Sequence, residues 1–405
     1  MDVGLALATD HSKINQVTEG KNQKKKFDVI IAGGGLAGLT AAILLSRKKK
    51  VLLIEKKSYP FHKVCGEYVS NEVLSFLRSL GFDPSEYGAS CITKLRISTP
   101  YGKNIYCELD TGGFGLSRFV MDHAIFGLAV ANGVEVLQGT KVTNISFFQN
   151  QFEVKTNSEQ YFTSPLLIGS YGKRDALDKK FNRDFIQSRT GYMAVKYHIK
   201  TDYPVDEIGL DNFRNGYCGI VKIEDNKYNL CYLYKRQKQY NFSTVRELEE
   251  TILFKNPVIR NIFSNSEFIS DEPEVINEIS FASKKPVEDH VFMCGDSAGL
   301  ITPLCGNGMS MAIHSAKLLC DLILKASSSK QVFTDSQRNI LEEDYEKIWN
   351  ANFSKRLFLG RTLQKLFGSP AITGLAIRSL HAIPKAERWL IANTHGKPIS
   401  DAANE

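Results

Sequence analysis

Residues 27–38 read FDVIIAGGGLAG, an apolar run followed at once by closely spaced glycines. The apolar run is typical of a buried strand, and the segment from Leu39 to Ser46 is typical of a helix. A second apolar run covers residues 51–54 and leads directly to Glu55. Strand, glycine-rich turn, helix and strand in this order predict a βαβ unit that binds a dinucleotide.

The three spaced glycines of the turn have different predicted tasks. Gly33 allows the tight turn, Gly35 lets backbone N–H groups approach the pyrophosphate, and Gly38 lets the helix pack closely on the strand. The N-terminal end of the helix favours the negative phosphates. Glu55 follows Gly35 by twenty residues, the separation at which a carboxylate accepts hydrogen bonds from ribose hydroxyls.

A second glycine-containing motif lies far downstream of the first. Residues 291–299 read VFMCGDSAG, and residues 303–308 read PLCGNG. A third segment between the two motifs, residues 116–122, reads LSRFVMD. Together, from Gly33 to Gly308, these motifs resemble those of the FAD-dependent oxidoreductases that share the para-hydroxybenzoate hydroxylase type of fold. That superfamily includes aromatic-ring monooxygenases, flavin halogenases and geranylgeranyl reductases.

The resemblance implies an α/β chain: a GR2-type FAD-binding Rossmann fold with an inserted antiparallel β-sheet substrate domain and a helical C-terminal region. The strand-rich pattern of residues 191–282 agrees with an inserted sheet. We expect the chain to divide into a disordered tail over 1–26, three parts of the FAD-binding domain over 27–90, 117–180 and 286–330, substrate-domain strands over 91–116, the substrate domain over 181–285, and the helical C-terminal region over 331–405.

The resemblance also implies which residues contact FAD. Asp296 would accept a hydrogen bond from a ribityl hydroxyl, and the glycines after it would let backbone N–H groups approach the isoalloxazine edge, where partial positive charge favours the reduced, anionic flavin. Arg118 would lie along the FAD, and Cys305 would face the pyrimidine side of the flavin. The full set of expected cofactor contacts is Gly33, Gly35, Leu36, Ala37, Gly38, Glu55, Lys56, Arg118, Gly295, Asp296, Pro303, Gly306, Asn307, Gly308 and Met309.

Residues 63–67 read KVCGE and resemble the CG segment that flanks the flavin on the substrate side in the reductase branch. Cys65 is either a chemically active thiol or one that lines the pocket, and Glu67 is either a proton relay or a carboxylate that leads into a helix. His62, just before the segment, is the third catalytic candidate. On the inserted sheet, the acid–base candidates are Tyr192, His198, Tyr217 and Tyr232.

Departures from the family pattern bear on the reaction. Tyr171 stands where the family has the aspartate of its DG motif, which in the hydroxylases is tied to both flavin and NAD(P)H. We therefore keep two electron sources open, NAD(P)H and a separate electron donor. The tryptophans are only Trp349 and Trp389, so the WxWxIP motif of the halogenases is absent. Residues 191–281 contain no tryptophan, so the aromatic YxWxFP-like segment of the reductase branch is missing too.

The composition excludes several classes of function. The chain has 405 residues and a net charge of +7, without the basic stripe interleaved with aromatics that nucleic-acid binding requires. No apolar stretch suits a signal peptide or a membrane span. The eight cysteines show no metal-binding spacing, so we expect reduced thiols, no metal and a cytoplasmic location. Apolar and basic residues alternate over 353–367, which suits either core packing or peripheral contact with a membrane.

These features predict an FAD-dependent oxidoreductase with a hydrophobic small-molecule substrate. The first choice is a monooxygenase that hydroxylates an aromatic, polyketide or phenolic-lipid substrate through a flavin hydroperoxide. The alternative is a flavin reductase, similar to geranylgeranyl reductases, that saturates alkenes of an isoprenoid or lipid. A third, non-enzymatic alternative keeps FAD only as a structural or sensing element.

Overall fold

The computed structural model describes residues 24–187, 189–303, 306–326, 333–366 and 396–399. The described α-helices are α1 (Leu36–Ser46), α2 (Leu74–Ser79), α3 (Arg118–Ala131), α4 (Ala176–Lys180), α5 (Val245–Thr251), α6 (Pro257–Ser264), α7 (Gly308–Ala326) and α8 (Asp335–Leu366). The described strands are β1 (Lys25–Lys26), β2 (Val29–Ala32), β3 (Val51–Ile54), β4 (Tyr68–Ser70), β5 (Ser90–Ser98), β6 (Asn104–Gly115), β7 (Glu135–Leu137), β8 (Val142–Phe148), β9 (Gln151–Thr156), β10 (Tyr161–Ser164), β11 (Leu166–Gly169), β12 (Tyr192–Lys200), β13 (Glu207–Phe213), β14 (Gly216–Lys222), β15 (Tyr228–Lys235), β16 (Glu267–Phe268), β17 (Glu274–Asn277), β18 (Val287–Glu288) and β19 (Val291–Met293).

A six-stranded sheet contains the βαβ unit that the first motif predicts. Its strand order is β18-β19-β11-β2-β3-β7, and all neighbours except β18 and β19 run parallel. Every residue of β2 and β3 is buried, because α1 and the four-stranded sheet of β1, β10, β9 and β8 pack against this sheet. Only β11 separates β2 from β19, so the ends of the two motif-bearing strands lie at the same sheet edge.

The nine-stranded sheet combines strands from two stretches of chain, β4–β6 and β12–β17. The stretches join through β5 and β13, which run parallel, whereas the other neighbours are antiparallel. Strand alternation along β12 places Ala194, Lys196 and His198 on one face, the inner face, and Val195 and Tyr197 on the other, the outer face. The outer face forms a separate apolar cluster with α5 and α6, while Ala194 belongs to the main core.

Two long helices cover the motif region. α7 packs on α1, and α8 packs on α7. Consequently α1 is buried on all sides from Leu36 to Leu45. On α8, Trp349 and Phe353 are buried and belong to the main core. The part of the predicted helical C-terminal region over 367–395, residues 1–23 of the predicted tail, and Cys305 lie outside the described residues.

Most strands and helices that the sequence pattern predicts are present, with ends shifted by a few residues, but some predictions are wrong. The pattern over 70–80 predicts one helix, whereas Ser70 ends strand β4, a 3-10 turn follows, and only α2 is α-helical. Pairing of β4 with β6 explains this, because those backbone groups are already hydrogen-bonded in the sheet. The pattern over 274–281 predicts one strand, whereas β17 ends at Asn277. Several described elements have no counterpart in the sequence pattern, among them β10, β13, α4 and α6.

Candidate cofactor and substrate site

The glycine turn of the first motif needs glycine at its two ends for steric reasons. Gly33 has a φ of +109°, and a Cβ there would lie 2.5 Å from the carbonyl oxygen of Ser170. A Cβ at Gly38 would overlap the carbonyl oxygen of Gly33. Ser170 donates a hydrogen bond from Oγ to the same carbonyl oxygen at 2.7 Å. Any side chain at either glycine would therefore push the turn away from the end of β11.

Gly35, between them, has open space around it. The nearest atoms to a Cβ built there are Lys63 Nζ and the Ser170 carbonyl oxygen, both at 3.9 Å. Gly35 is the N-cap of α1, which has no capping side chain and no acidic residue in its first turn. The first backbone N–H groups of α1 thus lie uncapped next to an ammonium group, an arrangement that suits a phosphate.

Two cations share one carboxylate beside this turn. Asp122 accepts hydrogen bonds from Arg118 Nε at 2.6 Å and from Lys63 Nζ at 2.9 Å. Burial lowers the pKa of Lys63 although Asp122 opposes the shift. Two positive charges and one negative charge leave this cluster with a net charge of +1, so an anion such as a pyrophosphate would neutralise it. The sequence predicted Arg118 as a cofactor contact but not Lys63. The one feature that could have indicated Lys63 is its position as the first residue of the KVCGE segment.

Glu55 and Lys56, both expected at the cofactor, have partners within the chain. Glu55 is buried and accepts hydrogen bonds from the backbone N–H of Gly34 at 2.7 Å and of Lys57 at 3.0 Å. This fixes the end of β3 against the glycine turn. Lys56 forms an ion pair with Asp175 at 3.1 Å.

The second motif presents a carboxylate with free acceptor capacity. Gly295 has a φ of +60°, and a Cβ there would lie 3.2 Å from the Cβ of Ala37, so the two motifs touch. None of the described residues donates a hydrogen bond to the Asp296 carboxylate, whereas the Asp296 carbonyl oxygen accepts one from Lys284 Nζ at 2.7 Å. A small cavity lies between Asp296, the start of α7 and Trp349. The site therefore fits a ligand that donates hydroxyl groups to Asp296.

The other expected cofactor contacts divide into buried and exposed positions. Leu36, Ala37 and Met309 bury their side chains in the main core, so they can contact a cofactor only through backbone atoms. Asn307 is buried, Gly306 has a φ of +62°, and Pro303 is exposed.

The three catalytic candidates of the KVCGE region are brought together with two side chains of the inner face. Glu67 is fully buried and has a φ of +54°. Its Oε1 accepts hydrogen bonds from Lys196 Nζ at 2.7 Å and from the backbone N–H of Arg118 at 2.9 Å, and its Oε2 lies 2.7 Å from His198 Nε2. Burial alone would raise the pKa of Glu67, but the hydrogen bond to His198 and the charge of Lys196 lower it overall. Glu67 is thus an ionised carboxylate at neutral pH.

His62 links this buried cluster to solvent. Its side chain is 45% exposed, and its ring lies 5.3 Å from the His198 ring and stacks on Phe119 at 4.6 Å. Burial and the nearby charge of Lys196 lower the pKa of His62. Cys65 is half-buried in the same loop, and its carbonyl oxygen accepts a hydrogen bond from Asn229 Nδ2 at 3.2 Å.

The remaining acid–base candidates of the sheet lie at different places on its two faces. Tyr232 lies on the outer face, where its hydroxyl donates to Glu249 at 3.1 Å, so that candidate is wrong. Tyr217 is buried on the inner face and pairs with Leu233. Tyr192 is half-buried and contacts Phe281 edge to face.

Tyr171, which replaces the family aspartate, packs against the second motif. Its hydroxyl donates to Met293 Sδ at 3.4 Å, and burial raises its pKa, so it is neutral. The loop after it is held by Ser297, whose Oγ accepts from the Gly172 N–H at 2.9 Å, and by Lys284, which donates to the Lys173 carbonyl at 2.9 Å. Burial lowers the pKa of Lys284 to about 8.

Among the described residues, no group of three or more His, Cys, Asp or Glu side chains is placed to hold a metal ion. The seven cysteines within those ranges are free thiols. No helix among the described residues is both long and apolar enough to cross a membrane.

Comparisons with known proteins agree with this architecture. Residues 26–143 match a family described as FAD binding domain. The digeranylgeranylglycerophospholipid reductase of Methanosarcina acetivorans is 25% identical over 342 residues, which cover 80% of this chain and 81% of that protein. A geranylgeranyl bacteriochlorophyll reductase-like structure from Thermoplasma acidophilum covers 92% of this chain and 93% of its own, with a TM-score of 0.71 and 17% identity. The structure of the halogenase PltM in complex with phloroglucinol and FAD covers 92% of this chain and 87% of its own, with a TM-score of 0.68 and 16% identity.

The matches confirm the α/β fold with its FAD-binding unit. Residues 26–143 are therefore similar to an FAD binding domain, within a fold that this chain shares with those reductase-like and halogenase structures.

Proposed function

We propose that the protein is an FAD-dependent monooxygenase that hydroxylates a hydrophobic phenolic substrate. The observation that carries the proposal is the Glu67–His198–His62 cluster at the inner face. Hydroxylation of a phenol is helped by a base that removes the phenolic proton. An ionised Glu67 beside His198 stabilises the imidazolium that forms when His198 accepts a proton, and His62 offers a route from there to solvent.

The charge states at neutral pH favour a base over an acid. Glu67 has a lowered pKa and is ionised, and His62 has a lowered pKa and is neutral. Lys196 has a raised pKa: the charge of Glu67 outweighs the effect of burial. Lys196 therefore holds its proton and keeps Glu67 ionised. Such a cluster takes up a proton more readily than it releases one.

The site also fits the cofactor. The net positive charge at Lys63, Arg118 and Asp122 and the uncapped start of α1 would hold the pyrophosphate, and Asp296 would accept from the ribityl chain. Bound and reduced, FAD supplies the two electrons needed to activate dioxygen. The neutral Tyr171 in place of an aspartate supports a separate electron donor, with NAD(P)H as the other source.

The inner face suits a hydrophobic substrate. Ala194, Tyr217 and Leu233 are buried there among the main core residues, and Gly219 and Cys231 add little polarity beside them. We propose that these apolar side chains, beside one proton-accepting cluster, keep water from the reaction and that the polar end of a phenolic lipid or polyketide binds toward His198.

A second candidate is reduction of alkenes in an isoprenoid or lipid. It is favoured by the relatives, since the Methanosarcina acetivorans reductase matches four-fifths of both chains. In that reaction His198 would have to deliver a proton to the carbon next to the one that receives hydride, and the neutral His62 is poorly suited to resupply it.

The partners and the location belong to the same proposal. We expect a hydrophobic small-molecule substrate, no nucleic acid, peripheral membrane contact through the exposed Phe358 of α8, and a cytoplasmic location. The non-enzymatic alternative predicts no turnover with any electron source.

The test is single turnover of the FAD-loaded protein. The flavin is reduced without oxygen, then mixed with dioxygen enriched in the heavy oxygen isotope and either a long-chain alkylphenol or a polyprenyl lipid. One labelled oxygen atom in the phenol supports the monooxygenase. A saturated lipid without labelled oxygen supports the reductase and overturns the first proposal. No product with either substrate class, when all the reduced flavin has been reoxidised, supports the non-enzymatic alternative.

The role of the cluster is tested by two matched variants. His198→Gln removes the proposed base, and His123→Gln removes an exposed histidine on α3. We expect His198→Gln to lower the rate of hydroxylation by about a hundredfold, with FAD affinity unchanged. His123→Gln should match the parent. Equal rates for parent and His198→Gln would rule out this base.

A further inference from the structure

Glu72 is a buried carboxylate that the proposed reaction does not use. It lies in the 3-10 turn after β4 and is 1% exposed. Its Oε2 accepts a hydrogen bond from Asn307 Nδ2 at 3.2 Å, and its Oε1 accepts one from Arg356 of α8 at 3.3 Å. The backbone N–H of Gly396 donates to the same Oε2.

Three parts of the chain therefore meet at one carboxylate. They are the loop that begins α7, the middle of α8, and the C-terminal segment 396–399. The backbone of the last segment is held further by the Ile399 N–H, which donates to the Glu72 carbonyl oxygen at 2.9 Å, and the Ile399 side chain is buried in the main core. The contact at Gly396 is tight, because a Cβ there would overlap the Arg356 guanidinium.

The loop at the start of α7 rests on residues 68–72 at three points. A Cβ at Gly306 would lie 3.1 Å from the Tyr68 ring, and Ser310 Oγ donates to the Ser70 carbonyl oxygen at 3.5 Å. The third point is the hydrogen bond from Asn307 to Glu72. Glu72 also contacts α8 and the C-terminal segment.

We propose that Glu72 is a positioning residue for the flavin, and that segment 396–399 and Arg356 must be docked on it for the Asn307 loop to take its binding form. The inference rests on the proposed placement of the flavin at residues 306–308. Arg356 neutralises the buried carboxylate, so the pair places one negative and one positive charge behind the loop. The C-terminal segment thereby affects the binding of the flavin through the side chain of Glu72.

The charges of Glu72 and Arg356 predict opposite shifts of the midpoint potential, an effect that a simple loss of structure would not produce. Glu72→Gln removes a negative charge behind the flavin, whereas Arg356→Gln removes a positive one. Because negative charge disfavours the reduced, anionic flavin, we expect the midpoint potential of bound FAD to become more positive in Glu72→Gln and more negative in Arg356→Gln. Both variants should weaken FAD binding by about tenfold, the effect of losing a hydrogen bond to a charged group.

The experiment measures FAD affinity by flavin fluorescence, and the midpoint potential at saturating FAD, in the full chain and its variants. Gly396→Ala adds one methyl group that displaces the segment, and Lys397→Ala changes an exposed neighbour in the same segment as the control. We expect Gly396→Ala to bind FAD less tightly than the parent and Lys397→Ala to bind equally well. Because Glu72 and Gly396 act through one contact, the double variant should be no weaker than Glu72→Gln alone.

Potentials that move in the same direction in both charge variants, or parent affinity in Gly396→Ala, would overturn the proposal. If Glu72→Gln fails to fold, the FAD affinity of Gly396→Ala and the midpoint potential of Arg356→Gln test the proposal without it. These readouts need no turnover, so a parent that binds FAD but hydroxylates nothing refutes the proposed function and leaves this inference to its own test.

Discussion

The buried ion pair of Glu67 and Lys196 allows the effect of one substitution on stability to be worked out from the structure. Glu67→Gln keeps the shape of the side chain, and its Oε1 can still accept from the Arg118 N–H. What is lost is the negative charge opposite Lys196, whose side chain is 1% exposed. Breaking one side of a buried pair costs about 3–5 kcal/mol. Glu274, 3.7 Å from the ammonium but 35% exposed, compensates in part, so we expect a loss of about 3 kcal/mol in the free energy of unfolding.

A double variant separates the charge from the packing. Glu67→Gln combined with Lys196→Met leaves no buried charge at this pair, and replacing such pairs by apolar groups is often close to neutral. We expect the double variant to regain about 2 kcal/mol relative to Glu67→Gln alone. Urea unfolding of the FAD-free chain, followed by the fluorescence of the buried Trp349, measures both values. A loss under about 1 kcal/mol in Glu67→Gln, or a double variant as unstable as the sum of its parts, would refute the reasoning.

Further predictions concern the cofactor contacts and the pH dependence. Gly38→Ala should abolish FAD binding, measured by flavin fluorescence, because its methyl group overlaps the Gly33 carbonyl oxygen; parent affinity would contradict the tight turn. Asp296→Asn should weaken FAD binding about tenfold, since a charged acceptor is replaced by a neutral one, and an unchanged Kd would argue against the ribityl contact. Burial lowers the pKa of Lys284 from 10.5 to about 8 in the folded chain. Between these two pH values Lys284 is protonated in the unfolded chain but not in the folded one, so the free energy of unfolding should rise with pH in this range. Urea titrations of Lys284→Met should not show that rise. Glu67 has a dependence of the same sign in a lower pH range. Its folded pKa is below 4.5, so its stabilisation is present at neutral pH and is lost as the pH falls below 4.5. A Gln variant should show a flatter stability curve in acid.

The sequence was sufficient for the parts of this protein that depend on neighbouring residues. The order of apolar run, glycine turn and helix predicts the βαβ unit, and the structure shows it with Leu36–Ser46 as the helix. Gly33 and Gly38 could be identified from spacing because part of their requirement is local: a positive φ at Gly33, and at Gly38 the closeness of the Gly33 carbonyl oxygen. Prediction failed at Ser70, where pairing with a strand over forty residues away in the chain overrides the local helical pattern.

The charged clusters could not be found in this way, because their members are distant in sequence. Lys196 and Glu67 are 129 residues apart, and Gly396 and Glu72 are 324 residues apart. Which side of β12 faces Glu67 depends on the register and alternation of a nine-stranded sheet. A one-residue shift would place Tyr197 there instead of Lys196 and His198. The sequence by itself thus determined the dinucleotide fold and its glycines, whereas only the tertiary structure decided which charges are buried together, since burial and pairing arise from contacts between elements that no local pattern encodes.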